Sequence, residues 1–253
     1  MIWTIAKYTL FEALRNRLIY LALAVLFIAI LIYLFVAEIT ITESRLYSLV
    51  IMSSLLRVAV IFVISLFVIT SLVREITDKG MATMLSLPLP RYSYFIGKLG
   101  GFSLLAGLLI SLIFIILLCV AEPVNALVWS LSLFLEMLLV VTLSLFLLLT
   151  FQQVTAAFTA VMAFYFLCRS MSAILLINNS SLLQDQSLSH GIISILIESL
   201  AFLLPDLDRY TLSEWLVYGS YGANELFLIL IQTLIYMSLL SLTALFDLYR
   251  LEL

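Results

Sequence analysis

Six long apolar runs alternate with short polar interruptions along the 253 residues: 18–36, 46–73, 99–120, 127–151, 154–177 and 226–248. Each holds enough consecutive apolar residues to cross a hydrocarbon core of ~30 Å as a helix. The pattern predicts an all-α polytopic membrane protein with six transmembrane helices in a single transmembrane domain spanning 1–253. Three runs carry a charge well inside them: Arg57 in the second, Glu136 in the fourth and Arg169 in the fifth.

The interruptions have patterns of their own. Residues 2–17 read as an amphipathic helix, with Trp3, Ala6, Leu10, Ala13 and Leu14 on one face and Thr4, Lys7, Tyr8 and Arg15 on the other. Such a helix is expected to lie in the membrane interface. Residues 74–98 form the longest polar interruption in the first 150. At 100° per residue, Glu75, Asp78, Lys79 and Ser86 share an arc opposite Ile76, Met84 and Leu87, and Pro88 is expected to end this short helix. It suits either a force-carrying contact with a partner or a connecting loop with a positive bias. Between the fifth and sixth runs, 192–204 is apolar but gives only ~20 Å of helix, too short to span. It is expected to be re-entrant or interfacial, stopped by Pro205. Residues 212–221 follow, with Trp215, Tyr218 and Tyr221 suited to an interface.

Composition narrows the class. The chain is 65% hydrophobic and 11% charged, against about 25% charged residues in ordinary soluble domains. A net charge of -3 gives no footprint for nucleic acid. Cys119 and Cys168 fall in apolar runs and read as small hydrophobes, and His190 stands alone, so neither a disulfide nor a metal site is expected. No small-residue cleavage site closes the first apolar run, so no cleaved leader is expected. With both termini on one side, that side collects Lys7, Arg15, Arg17, Arg74, Lys79, Arg91, Lys98 and Arg250, and the other only Arg45 and Arg209. The imbalance predicts cytoplasmic termini and a cytoplasmic 74–98 segment. No phosphate-binding loop is present: Tyr92 and Leu99 stand where the first glycine and the hydroxyl around Gly97-Lys98 would be needed. Nor is there a Ser/His/Asp set, so the chain is not expected to be an enzyme. Charges at membrane depth face a cavity or a partner. Arg57, Glu136 and Arg169 therefore read either as a polar path for a substrate or as ion pairs that fix span packing.

Arg74-Glu75, then Gly80, Leu85-Ser86, Pro88 and Gly97-Lys98 follow one another in an order and spacing that resemble the loop between the second and third spans of ABC-2-type transporter permeases. With the span pattern, the resemblance covers nearly the whole chain. It is nearest to single-domain permeases like the membrane subunit of the nitrous-oxide reductase maturation ABC transporter. The resemblance implies a permease subunit of an exporter in the bacterial cytoplasmic membrane, with a coupling helix that docks on a separate ATPase. Carried over residue by residue, the coupling interface would comprise Arg74, Glu75, Asp78, Lys79, Gly80, Met84, Leu85 and Pro88. It further implies two ATPase subunits that bind ATP and Mg, a second copy of this permease as homodimer partner, surrounding lipid, and room for a periplasmic accessory protein. Short external helices would cap the exit side between spans five and six. The rival readings are an energy-independent channel or secondary transporter, and a membrane assembly scaffold.

Overall fold

A computed structural model describes residues 2–15, 18–39, 44–78, 80, 90–178 and 188–250. Those residues are helical almost throughout, and no strand occurs among them. The helices are α1 (Ile2–Arg15), α2 (Leu18–Ile39), α3 (Ser44–Thr77), α4 (Arg91–Leu118), α5 (Pro123–Phe151), α6 (Val154–Asn178), α7 (Leu188–Leu203), α8 (Ser213–Tyr218) and α9 (Ala223–Arg250). A single 3₁₀ turn, Leu207–Arg209, precedes α8. Helices α2, α3, α4, α5, α6 and α9 are long and apolar enough to cross a membrane.

The spans run past their apolar cores because nothing in the sequence stops them. No Pro or Gly occurs between residues 44 and 79, so α3 continues for 34 residues, or roughly 51 Å. This corrects one expectation: Arg74, Glu75 and Ile76 are the last turn of α3 and do not begin a separate short helix. The Asp78 N–H still donates to the Arg74 carbonyl at 2.9 Å. Lys79 and residues 81–89, including Met84, Leu85 and Pro88, lie outside the described residues. Gly80 is described, and a Cβ there would stand 3.4 Å from the Glu75 Cγ. Pro90, extended at φ -66 and ψ 135, starts α4 eight residues before its uncharged stretch, so Arg91, Gly97 and Lys98 are helical. Pro123 opens α5 at its first turn, where a missing N–H costs nothing. Gln152, left-handed at φ 54, closes it with its N–H on the Leu148 carbonyl.

Helix α5 is the hub. Trp129, Leu133, Met137, Val141 and Leu148 are fully buried along it, and α3, α4, α6 and α9 pack around it. Helix α2 packs on α3, and α1 on α4. Side-chain contacts define two ends of the bundle. At the basic end, the start of α4 meets the ends of α3 and α9 and the whole of α1. At the opposite end, the turn and α8 sit among α3, α5 and α6. Large apolar side chains such as Leu34, Phe35, Phe202, Phe227 and Phe246 stay exposed, as expected for surfaces that meet acyl chains.

The packing of α1 keeps Ala6, Leu10 and Ala13 of the expected apolar face inward but departs from it at Trp3 and Thr9. Its buried residues are Ala6, Thr9 and Ala13, while Trp3 is 69% exposed. Small side chains were the useful ones, because α4 presents glycines to them and backbones close up without an intervening Cβ. A Cβ on Gly101 would lie 2.6 Å from the Thr9 Cβ and 2.9 Å from the Ala6 carbonyl; on Gly97 it would lie 2.8 Å from the Ile5 Cβ. On Gly100 the nearest atom is 3.8 Å away. Trp215, expected at an interface, is instead a core residue at 1% exposure, whereas Tyr218 is exposed as expected.

Gly101→Ala is therefore expected to lower the melting stability of the purified protein by about 1–3 kcal/mol through forced separation of α1 and α4. Gly100→Ala should be neutral or slightly stabilising, since alanine is the better helix former. Thermal unfolding followed by size-exclusion fluorescence in one detergent separates the two.

Candidate functional site

The three intramembrane charges converge on one segment, 207–211, where Arg57 and Glu136 meet at Thr211 and Arg169 holds the residues before it. Ser44 and Pro123 begin α3 and α5 at the same end, so Arg57 and Glu136 both lie about 20 Å down their helices. Arg169 approaches from α6. The Arg57 Nη1 donates to the Thr211 carbonyl at 3.1 Å and to its Oγ1 at 3.3 Å. The Thr211 hydroxyl in turn donates to Glu136 Oε2 at 2.9 Å. Glu136 is wholly buried. Its Oε1 accepts the Tyr165 hydroxyl at 2.9 Å and faces Arg169 Nη1 at 3.6 Å. Arg57 thus reaches Glu136 through Thr211, and Arg169 reaches it directly.

Arg169 holds more of the same segment. Its Nη1 donates to the carbonyls of Leu207 and Tyr210, and its Nε stands 3.9 Å from Asp208 Oδ1. Ser172, three residues along α6, donates to Asp208 Oδ2 at 2.6 Å. Ser132 of α5 accepts the Thr211 N–H at 3.1 Å, and Ser53 meets Ser213 at 3.2 Å. The Tyr210 hydroxyl reaches α9 at the Ile229 carbonyl and Thr233 Oγ1; burial pushes that hydroxyl up to about 12, so it stays a neutral donor. Thr211 is left-handed at φ 48, a conformation a β-branched residue adopts at a cost of about 1–2 kcal/mol. Its three tethers outweigh that strain. Gly219, at φ +63, ends α8 beside Asn125, whose Oδ1 a Cβ would approach to 3.0 Å.

A second polar cluster sits at the basic end. Lys98, only 5% exposed, pairs with Glu75 Oε2 at 2.5 Å and faces Glu12 Oε2 at 3.9 Å. Glu12 Oε1 accepts the Ser71 hydroxyl at 3.0 Å. One ammonium thereby ties α1, α3 and α4 together at the point where the chain enters residues 78–90. Arg91 donates to the carbonyls of Leu248 and Tyr249, closing the end of α9 onto α4. Of the residues that the sequence groups as a partner-facing set, Glu75 is turned into this knot with a side chain 17% exposed. Arg74 and Asp78 face outward as an i,i+4 pair, 74% and 71% exposed at 3.8 Å. Such a pair contributes little to stability.

Sequence reasoning located Arg57, Glu136 and Arg169 and missed Thr211, Tyr165, Ser132 and Asp208. A signal was present. Ser53–Arg57, Ser132–Glu136 and Tyr165–Arg169–Ser172 are polar pairs or triplets at helical spacing within apolar runs, each marking one face of its helix. Nothing local marks Thr211. Among the described residues no cluster of three or more metal-ligating side chains occurs. No family model and no curated protein matches the sequence.

Removing the carboxylate leaves two guanidiniums without it, so Glu136→Leu is expected to cost about 3–5 kcal/mol, the usual loss on breaking a buried ion pair. Tyr165→Phe removes one neutral donor and should cost about 0.5–1.5 kcal/mol. Denaturant titration of both variants in detergent checks the order and the gap.

Proposed function

We propose that this chain is the membrane subunit of an exporter driven by a separate ATPase, of the kind that ABC-2-type permeases represent. The observation that carries this reading is the Glu12–Lys98–Glu75 knot around the buried Lys98 ammonium. It gathers α1, α3 and α4 at the root of residues 78–90, so a push on that segment reaches three helices together. Arg74 and Asp78 stand exposed beside it, available to a soluble partner. In this reading the basic end is cytoplasmic, α1 lies along the inner interface of a bacterial cytoplasmic membrane, and the coupling contact is made from Arg74 through Pro88. Two ATPase subunits, holding ATP and Mg, bind there under a pair of permease copies. The segment from α7 to α8 closes the outer end of the substrate path. A periplasmic accessory protein would meet that outer face.

Affinity purification of the tagged chain from its native membrane should bring down a soluble ATPase, and a chain that emerges without one counts against the assignment. Glu75→Ala and Lys98→Ala should each leave insertion intact, yet lower transport per ATP hydrolysed by about tenfold or more, the loss that accompanies ~1.4 kcal/mol of coupling. Full coupling in both variants removes the knot from the mechanism. For topology, cysteine at Asp78 should react with an impermeant thiol reagent only from the cytoplasmic side, and cysteine at Tyr218 only from outside. The reverse pattern inverts the arrangement.

A further inference from the structure

The segment 205–213 is seated by burial of Leu207 and Tyr210 in the apolar core and by a set of polar contacts, the densest of which come from groups that recognise negative oxygen. Arg57 and Arg169 grip three of its carbonyls, those of Leu207, Tyr210 and Thr211, and Arg169 also faces the Asp208 carboxylate. Lifting the segment out has an asymmetric result. Glu136 keeps Tyr165 and Arg169, so the buried carboxylate remains compensated. Arg57 loses both of its hydrogen-bond acceptors, and Arg169 loses two carbonyls and a carboxylate. Asp208 departs with the segment. What remains is two guanidiniums against one carboxylate, a net positive wall with unused donors. One such donor already exists, since the Arg57 Nε is buried with no hydrogen-bond partner. Guanidinium forks prefer planar or tetrahedral oxyanions to carbonyls.

We propose that Arg57 and Arg169 form a binding site for an anionic group on the transported molecule (a carboxylate, sulfate or phosphate), and that residues 205–213 are a removable plug that fills this site in the closed state. The proposal rests on the exporter reading, in which this end of the bundle is the exit. The plug's carbonyls and the Asp208 carboxylate stand in for the oxygens of the cargo. Glu136 is a positioning residue: it holds Arg169 at the wall and orients Thr211, whose hydroxyl passes from Arg57 to Glu136. The two states then compete for the same donors, so an anionic cargo favours the unplugged form by replacing the contacts that opening breaks.

The test uses the charge of a small thiol reagent as the probe. Ser132 is fully buried beneath the plug, so Ser132→Cys in a chain with Cys119→Ser and Cys168→Ser reports on opening. Native Cys168, also buried, is a second reporter in Cys119→Ser alone, with the polar network untouched. Energised spheroplasts and inside-out vesicles are treated with a sulfonate-bearing and a trimethylammonium-bearing methanethiosulfonate. Their rates are compared with their ratio on a free thiol in solution. Labelling from the outer side is expected, with the anionic reagent favoured by roughly threefold to tenfold, the effect of one nearby charge in a watery site. Arg57→Gln should abolish that preference and Arg57→Lys retain it. An oxidised Ser53→Cys, Ser213→Cys pair, placed where the native hydroxyls meet at 3.2 Å, should pin the plug and block labelling. Absence of labelling at both reporters, labelling indifferent to the disulfide, or a ratio equal to that of the free thiol each overturns the proposal. The readout needs no knowledge of the ATPase. Charge-selective labelling without a copurifying ATPase would remove the drive and keep the site, and the converse would do the opposite.

Discussion

A carboxylate with no exposed surface, close to the middle of a membrane-length helix, has to be satisfied by protein. Glu136 imposes that requirement on everything around it. An unpaired charge there would cost several kcal/mol, so α6 must bring Arg169 and Tyr165 to one oxygen and a non-helical segment must bring Thr211 to the other. Bringing Thr211 in forces its left-handed backbone and supplies carbonyls that in turn satisfy Arg57. The burial of Trp215 and Leu216 follows, because α8 begins two residues later and has no choice but to pack against the hub.

The two polar clusters differ in kind. Around Glu136, side chains of three spans hold the backbone of a loop that also sets Leu207 and Tyr210 into the apolar core. At the basic end, the knot joins spans directly and is reinforced by the close approach of α1 to α4 at Gly97 and Gly101. A joint built of glycine packing and a shielded ammonium is stiff. Vacating the seat at the other end breaks hydrogen bonds to a loop and lifts only Leu207 and Tyr210 of that loop's 205–211 stretch out of the apolar core. Stiffness at one end and release at the other is the division that a driven transporter requires.

Much of this was legible beforehand and some of it was not, for physical reasons. Six spans were readable because a bilayer demands long apolar runs, and Arg57, Glu136 and Arg169 stood out against them. Helix ends were less readable: uncharged stretches mark the hydrocarbon depth, whereas α3 and α4 continue as helix beyond them through Arg74–Thr77 and Arg91–Lys98. The face of α1 was read correctly at Ala6, Leu10 and Ala13 but not at its edges, because size-weighted amphipathicity favours Trp3 and Leu14 while close packing on glycine selects Thr9. Thr211 and Trp215 escaped because their burial is created by tertiary contacts around 80 residues away in sequence. Local pattern carries no trace of such contacts.

Helix α3 takes part in both clusters, through Ser53 and Arg57 near one end and Ser71 and Glu75 near the other. Eighteen residues of unbroken helix separate Arg57 from Glu75, roughly 27 Å. With neither glycine nor proline along it, this stretch bends little and behaves as a pushrod. A tilt of about 10° about one end displaces the other by roughly 5 Å, more than the reach of any hydrogen bond at the Thr211 seat. In the proposed exporter the stroke needed to unseat that loop is thus small at the cytoplasmic end, and a single rigid element sets the gearing between the two.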